Sequence, residues 1–197
     1  MNKIKLVYMV STLGQTGPTR QLYNLFKYLD RDTFHTALIT LSQSPKRNLD
    51  EDFLKLDIEV HKLGLTRINS MMTGNRKLAC LLSKLGPDIV HSQGFRADFL
   101  CAGRDRYPIH VSTQRNSPFH DYPPLYGRLL GTIVAYFHHR SVARIPNLVS
   151  CSKSIASSNA DRGLRSIVIQ NGVDLNQRKY LLNTEEKLRE RVALNLP

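Results

Sequence analysis

The sequence predicts a doubly wound α/β domain around a mostly parallel sheet. Three observations point to it. Short apolar, β-rich runs alternate with amphipathic stretches along the whole chain. Seven such runs are candidate strands, and the helices between them imply βαβ crossovers. No internal repeat or low-complexity segment interrupts the pattern.

The elements follow in order. Ile4 to Val10 is the first strand. A Ser/Thr/Gly loop then leads to a helix from Thr19 to Leu29, where Leu22, Leu25, Phe26 and Leu29 recur at helical spacing and predict one core-facing stripe. His35 to Leu41 is a strand, Leu49 to Lys55 a short helix, and Ile58 to Leu63 the third strand. Asn75 to Leu85 reads as a helix stopped by Gly86-Pro87. Asp88 to His91 is a short strand, Phe95 to Gly103 a helix, and Ile109 to Thr113 a strand. Pro118, Pro123 and Pro124 predict an irregular loop, and a long helix is expected from Leu125 to Arg144. Leu148 to Cys151 and Ile167 to Ile169 are the last strands, separated by a helix capped by Ser152 or Ser154. Thr184 to Ala193 closes the series as a charged helix with half a capping box, Thr184 with Lys187.

Composition narrows the function classes. The chain has 197 residues, 41% hydrophobic and 22% charged, enough for a buried core and unlike a disordered tail. The first apolar run is interrupted by Lys5 and too short for a signal peptide, and the stretch Leu129 to Phe137 is well short of the roughly 20 residues that span a bilayer. Cys80, Cys101 and Cys151 are odd in number, widely spaced and in apolar settings, so they read as reduced thiols in a cytosolic protein. The formal charge of +12 calls for anionic partners, and residues 101–170 hold nine Lys or Arg against three Asp. Nucleic acid, an anionic membrane surface and phosphate-bearing substrates all fit the charge. The absence of an RRM signature, zinc-finger spacing or a basic-aromatic stripe favours the latter two.

Ligands on a doubly wound sheet sit at the carboxyl ends of its strands, which directs attention to the loops after Val10, His91, Thr113, Cys151 and Ile169. In "STLGQTGPTRQLYNL", Gly14, Gly17 and Pro18 precede a helix whose amino terminus favours an anion, although a plain strand-to-helix turn fits equally. It is neither a dinucleotide fingerprint nor a P-loop. In "PDIVHSQGFRADFL", His91 ends a strand and can bond a sugar hydroxyl or move a proton, or be a structural histidine. In "VSTQRNSPFHDY", Arg115 and Asn116 leave a strand and can grip a phosphate, while His120 and Asp121 can form an acid–base pair; a surface loop is the competing reading. "LYGRLLGTIVAYFHHRSVARI" sets Arg128, Arg140 and Arg144 among apolar residues, fitting either an anionic membrane face or a core-packed helix. His138 and His139 are adjacent and point in different directions, and no zinc spacing or Gly-x-Ser-x-Gly elbow occurs.

In order and spacing, the Gly loop with "RQLYNL", then "PDIVHSQG", "VSTQRN", "CSKSIA" and "VIQNGVD", resemble the amino-terminal half of family 4 glycosyltransferases. The resemblance spans essentially the whole chain. It implies a Rossmann-like domain forming one half of a GT-B fold, over residues 1–174, with 175–197 as connector and helix toward a carboxy-terminal donor domain. It further implies the acceptor-binding half of a retaining, nucleotide-sugar-dependent transferase of hexosyl type, acting in cell-surface polysaccharide or glycolipid synthesis. By resemblance Gly14, Gly17 and Thr19 lie near the donor phosphates; Pro18 and Thr19 stand where the family commonly has a Glu-Arg pair, with Arg20 kept. His91 is expected to line the cleft. Where the family often has a histidine at the end of the next strand, this chain has Arg115 and Asn116. Ser152 and Lys153 match the Ser-Lys turn, and Asn171, Gly172 and Asp174 match the start of the interdomain connector. No residue is assigned a catalytic or metal-binding role, and no cofactor is expected beyond the nucleotide-sugar substrate. The family's Glu-x7-Glu signature is expected beyond residue 197; Glu51 and Glu59 match its spacing in the wrong half of the enzyme. The expected partners are the donor domain, a glycan or lipid-linked acceptor and an anionic membrane surface, in a cytoplasmic setting at the inner face of the plasma membrane. The alternatives are a truncated, non-catalytic binding module and, behind it, a nucleic-acid-binding domain.

Overall fold

The computed structural model describes residues 2–66, 74–102, 109–175 and 183–196. All seven expected strands are present: β1 (Ile4–Val10), β2 (Phe34–Thr40), β3 (Glu59–Lys62), β4 (Ile89–Gln93), β5 (Ile109–Gln114), β6 (Asn147–Ser150) and β7 (Ile167–Val168). They form one parallel sheet in the order β3-β2-β1-β4-β5-β6-β7. The order reverses direction between β1 and β4, so the crevice at their carboxyl ends is the topological switch point.

Side chains alternate across the sheet, and both faces are covered. Val7, Met9, Ala37, Ile39 and Val90 pack against α3 (Gly74–Leu85) and α4 (Phe95–Cys101) through Leu78, Leu82, Ala97 and Leu100. On the other face, Tyr8, Val10 and Leu38 pack against Leu22 and Phe26 of α1 (Gly17–Tyr28) and Phe53 of α2 (Asp50–Leu54). This double cover explains why the central strands read as nearly continuous apolar runs. The expected stripe of the first helix is narrower than its spacing suggested. Leu22 and Phe26 are fully buried, whereas Leu25 is 42% exposed on the flank of the helix.

The region after β5 departs from expectation. Pro118–Tyr126 is a helix, α5, not an irregular loop, and the expected long helix is a second one, α6 (Arg128–Val142). Proline's ring holds φ near its helical value, so Pro118 suits the first turn, while Pro123 and Pro124 cost the helix the bonds their missing N–H groups would donate. Gly127, at φ +84°, makes the break between the two helices, a conformation open to glycine and strained for other residues. The helices then fold onto each other so closely that a Cβ at Gly131 would lie 2.5 Å from Tyr122 O and Pro123 Cα.

The remaining helices are α7 (Lys153–Ala160), capped by Ser152 accepting from the Ile155 N–H at 3.2 Å, and α8 (Thr184–Ala193). The α8 cap is Asn183, whose side chain accepts from the Glu186 N–H, and not the expected Thr184. Gly103, the expected end of the α4 segment, lies outside the described residues. Cys80 is exposed rather than set among apolar side chains, whereas Cys101 is buried.

Because the atoms facing Gly131 are backbone, they cannot move aside cheaply. Gly131→Ala is expected to destabilise the domain by about 1–3 kcal/mol, measured as a lowered urea midpoint with unchanged slope.

Candidate functional site

Two cavities open at the carboxyl ends of the strands, one on each side of the end of β5. The first, about 340 Å³, lies at the β1/β4 switch point, between the loop after β1 (Ser11, Thr12, Thr16, Thr19), the end of β4 (Gln93, Gly94) and Thr113 to Asn116. Tyr122 of α5 and His138 of α6 complete its lining. Thr16 caps α1, accepting from the Thr19 N–H at 3.4 Å, and the two hydroxyls lie 3.0 Å apart. Gly94 turns the chain from β4 into α4 at φ +87°. The lining is thus rich in hydroxyls and amides, with one guanidinium, a surface suited to hydroxylated or anionic ligands.

Beneath it lies a fully buried carboxylate. Asp98 Oδ1 accepts from the hydroxyls of Ser92 at 2.6 Å and Ser112 at 2.7 Å. Its Oδ2 accepts from His138 Nε2 at 2.9 Å and Gln114 Nε2 at 3.3 Å. His138 Nδ1 in turn shares a 2.8 Å bond with the Tyr122 hydroxyl. Burial pushes the Asp98 carboxyl up, but the hydrogen bond and attraction of His138, with the two serine hydroxyls, outweigh it and hold the group below the usual carboxylate range. Burial pushes the Tyr122 hydroxyl up to about 12. The chain Asp98–His138–Tyr122 therefore fixes the cavity's inner wall.

The second cavity, about 380 Å³, lies on the α1 side of the sheet. Leu25 and Tyr28 of α1, Tyr8, His91, Arg115 and the segment 169–174 line it. His91 packs on the Tyr8 ring, centroids 4.1 Å apart, and its Nε2 lies 2.8 Å from Thr113 Oγ1. Burial, with the Arg115 and His110 charges adding, pushes its pKa down to about 3, although Asp98 pulls the other way. His91 is therefore a neutral imidazole at ordinary pH. Arg115 divides the two cavities: its Nε donates to Gln93 Oε1 at 2.7 Å and its Nη1 to Asn171 Oδ1. Asp174 accepts from Lys27 Nζ and from the Tyr28 hydroxyl, each at 2.8 Å, which ties the segment after β7 to the end of α1.

The ten residues singled out from the sequence distribute unevenly. Thr19, Arg115 and Asn116 line the first cavity, and His91, Arg115 and Asn171 the second. Gly14 and Gly17 shape the loop beside the first cavity without lining it. Gly14 is packed against Pro45, where a Cβ would approach to 3.1 Å. Arg20 is exposed outside both linings, and Ser152 and Lys153 serve at the start of α7, Ser152 as its cap. His120 and Asp121 are exposed on α5 and form no pair within the cavities; Asp121 accepts from the Ser117 N–H at 2.9 Å. Glu51 and Glu59 sit on α2 and the edge strand β3, away from both cavities.

Sequence reasoning missed Asp98, Gln93, Gln114 and Tyr122, and took His138 only as a metal candidate to dismiss. One signal was available: Asp98 lies between Ala97, Leu100 and Cys101 on the inward stripe of its helix, where a carboxylate requires partners. Among the described residues no group of three or more His, Cys, Asp or Glu side chains converges as metal ligands.

Two outcomes follow. Asp98→Asn places an amide N–H2 among groups that donate, and is expected to cost about 3 kcal/mol in urea denaturation. His91 has a folded-state pKa near 3 against 6.5 unfolded, so the unfolded chain binds the extra proton between those values. Stability is therefore expected to fall as pH drops from 6.5 toward 3, and His91→Asn should remove about one proton's worth of that slope. His110 and His139 are lowered by burial as well and keep the remainder.

The comparisons with known proteins agree with this architecture. The model of Glycosyltransferase Family 4 matches residues 16–177. No curated protein sequence matched the chain. Among solved structures it is similar to Anabaena HepE in complex with UDP and glucose, at TM-score 0.65 and 15% identity over 97% of this chain and 50% of that one. It is similar to sucrose-phosphate synthase from Thermosynechococcus elongatus, at 0.68 and 11% over 99% and 53%. It is also similar to UDP-GlcNAc 2-epimerase from Neisseria meningitidis bound to UDP-GlcNAc, at 0.60 and 13% over 98% and 54%. At such identities the likeness is one of fold, and the chain spans about half the length of each of these proteins. The match over 16–177, on a parallel Rossmann-like sheet that forms one half of a GT-B fold, establishes that the chain belongs to glycosyltransferase family 4.

Proposed function

We propose that the chain is the acceptor-binding half of a retaining glycosyltransferase that uses a nucleotide-sugar donor, in the synthesis of a cell-surface polysaccharide or glycolipid. The observation that carries the reading is the hydroxyl- and amide-lined cavity at the β1/β4 switch point, at the carboxyl ends of the strands and walled by Arg115. Its Thr12, Thr16, Gln93 and Asn116 groups match the hydroxyls of a sugar acceptor, and the capped start of α1 with Arg115 suits a phosphate. UDP and UDP-GlcNAc bound in structures of the same fold support a nucleoside diphosphate as the donor's leaving portion.

In this reading residues 1–174 form the acceptor domain, and the following segment leads toward a donor domain. The Arg115–Asn171 and Asp174–Lys27 bonds tie the segment after β7 to the end of β5 and to α1, which supports a coupling between the acceptor site and the path toward the donor domain. Basic groups and helix dipoles of the donor domain would stabilise the leaving diphosphate, while this half orients the acceptor hydroxyl. His91, neutral and bonded to Thr113, offers hydrogen bonding rather than charge at the cleft's floor.

The test is reconstitution. Nucleotide-sugar-dependent transfer is expected when the chain is mixed with a family donor domain, and no turnover from residues 1–197 alone; full activity from the chain alone would sink the division of labour. In the reconstituted enzyme Arg115→Ala should lower transfer about a hundredfold. His91→Ala should lower it with the domain still folded by circular dichroism, and unchanged turnover in both variants would remove these residues from the cleft.

A further inference from the structure

The outer surface of the α5–α6 pair is apolar. Leu125 is 69% exposed and Leu129 79%, and Leu130, Ile133, Tyr136 and Phe137 are exposed with them. The inner stripe of α6, Gly131, Ala135, His138 and Val142, is the buried one and faces α5 and the sheet side of the domain. Leu129, Leu130, Ile133, Tyr136 and Phe137 of the same helix lie outside that stripe, so most of its large apolar side chains are left facing away from the core. Contiguous apolar surface of this kind marks an interaction site.

The surrounding charge says what covers it. Arg128, Arg140 and Arg144 are exposed on the same segment, and across residues 118–146 they face a single acid, Asp121. The Arg140 guanidinium sits over the Tyr136 ring, 5.9 Å from its centroid, and donates to the Tyr136 hydroxyl at 3.3 Å, so a cation adjoins the apolar face. A second copy of this chain would bring like charges together, on a protein already at +12. An apolar face rimmed by arginine and tyrosine matches the boundary between acyl chains and anionic headgroups. No helix among the described residues is long and apolar enough to cross a membrane, so the contact is one of lying on the surface.

We infer that the outer face of α5 and α6 docks on an anionic lipid bilayer. The same two helices contribute Tyr122 and His138 to the first cavity, so the bilayer surface and the cavity lie on opposite sides of one helical layer, about 10 Å thick. A lipid-anchored acceptor held at that surface is delivered beside the cavity. The docking itself goes beyond the transfer reading and stands without it, because binding is read on this chain alone with no sugar transfer.

The experiment is sedimentation of the full chain with vesicles of phosphatidylcholine alone or mixed with phosphatidylglycerol. Binding is expected only to the mixed vesicles and to weaken with salt. Leu129→Glu with Ile133→Glu should lower the partition coefficient about a hundredfold. Arg128→Gln, Arg140→Gln and Arg144→Gln should each lower it about fivefold. All of these positions are exposed, and circular dichroism of each variant checks that the domain is folded. No binding to the mixed vesicles, or equal binding by the Glu variant, overturns the inference. So does sedimentation equilibrium showing a dimer that the Glu variant dissolves, which would make the face a contact between copies.

Discussion

A carboxylate removed from water must be surrounded by donors, and Asp98 takes its donors from three of the elements that border the first cavity. Ser92 comes from β4, Ser112 and Gln114 from β5, His138 from α6, and the acid itself from α4. The two serine hydroxyls and the imidazole are short or rigid donors, so the elements that carry them are held close to the acid. Without the acid, Ser92, Ser112 and His138 would be buried polar groups lacking a common acceptor. The cavity's inner wall, the seat of Tyr122 and the approach of α6 to the sheet all depend on this cluster.

From that anchor outward, the molecule separates polar recognition from apolar contact. Arg115 stands at the end of β5 between two cavities, bonded to Gln93 on one side and Asn171 on the other. The strand ends therefore communicate with the segment after β7 through a single guanidinium, whose planar fork suits two amide acceptors at once. On the far side of α5 and α6 the surface turns apolar and basic. In the proposed reading, acceptor recognition and lipid contact are separated by one layer of helix.

Much of the fold was legible because it rests on local patterns. Each of the seven strands begins or ends within a few residues of its apolar run, and α3 stops at Gly86 as the Gly-Pro pair implied. Two local readings failed for identifiable reasons. Prolines 118, 123 and 124 marked a loop, but Pro118 suits the first turn of a helix, and Pro123 lies where α6 packs closely at Gly131. Leu25 fell on the expected stripe but lies on its exposed flank, whereas Leu22 and Phe26 are buried and Leu29 packs against the same cluster. The candidate site was legible as a set of loops rather than as a set of residues. His91, Arg115, Asn116 and Asn171 were named, whereas Asp98, Gln93 and Tyr122 were not, because their roles arise from partners on other elements.

The sequence by itself determined the succession of strands and helices, the loops that carry the site and the family to which the chain belongs. These follow from hydrophobic periodicity and the order of short motifs, both properties of neighbours along the chain. Only the tertiary structure decided which face of α6 is buried, that a lone aspartate in an apolar helix is the centre of a polar cluster, and that Arg115 spans two cavities. Those facts depend on contacts between residues far apart in sequence, such as Asp98 with His138 and Arg115 with Asn171. Periodicity shows that a helix has two faces; what packs against each one is settled when the chain closes on itself.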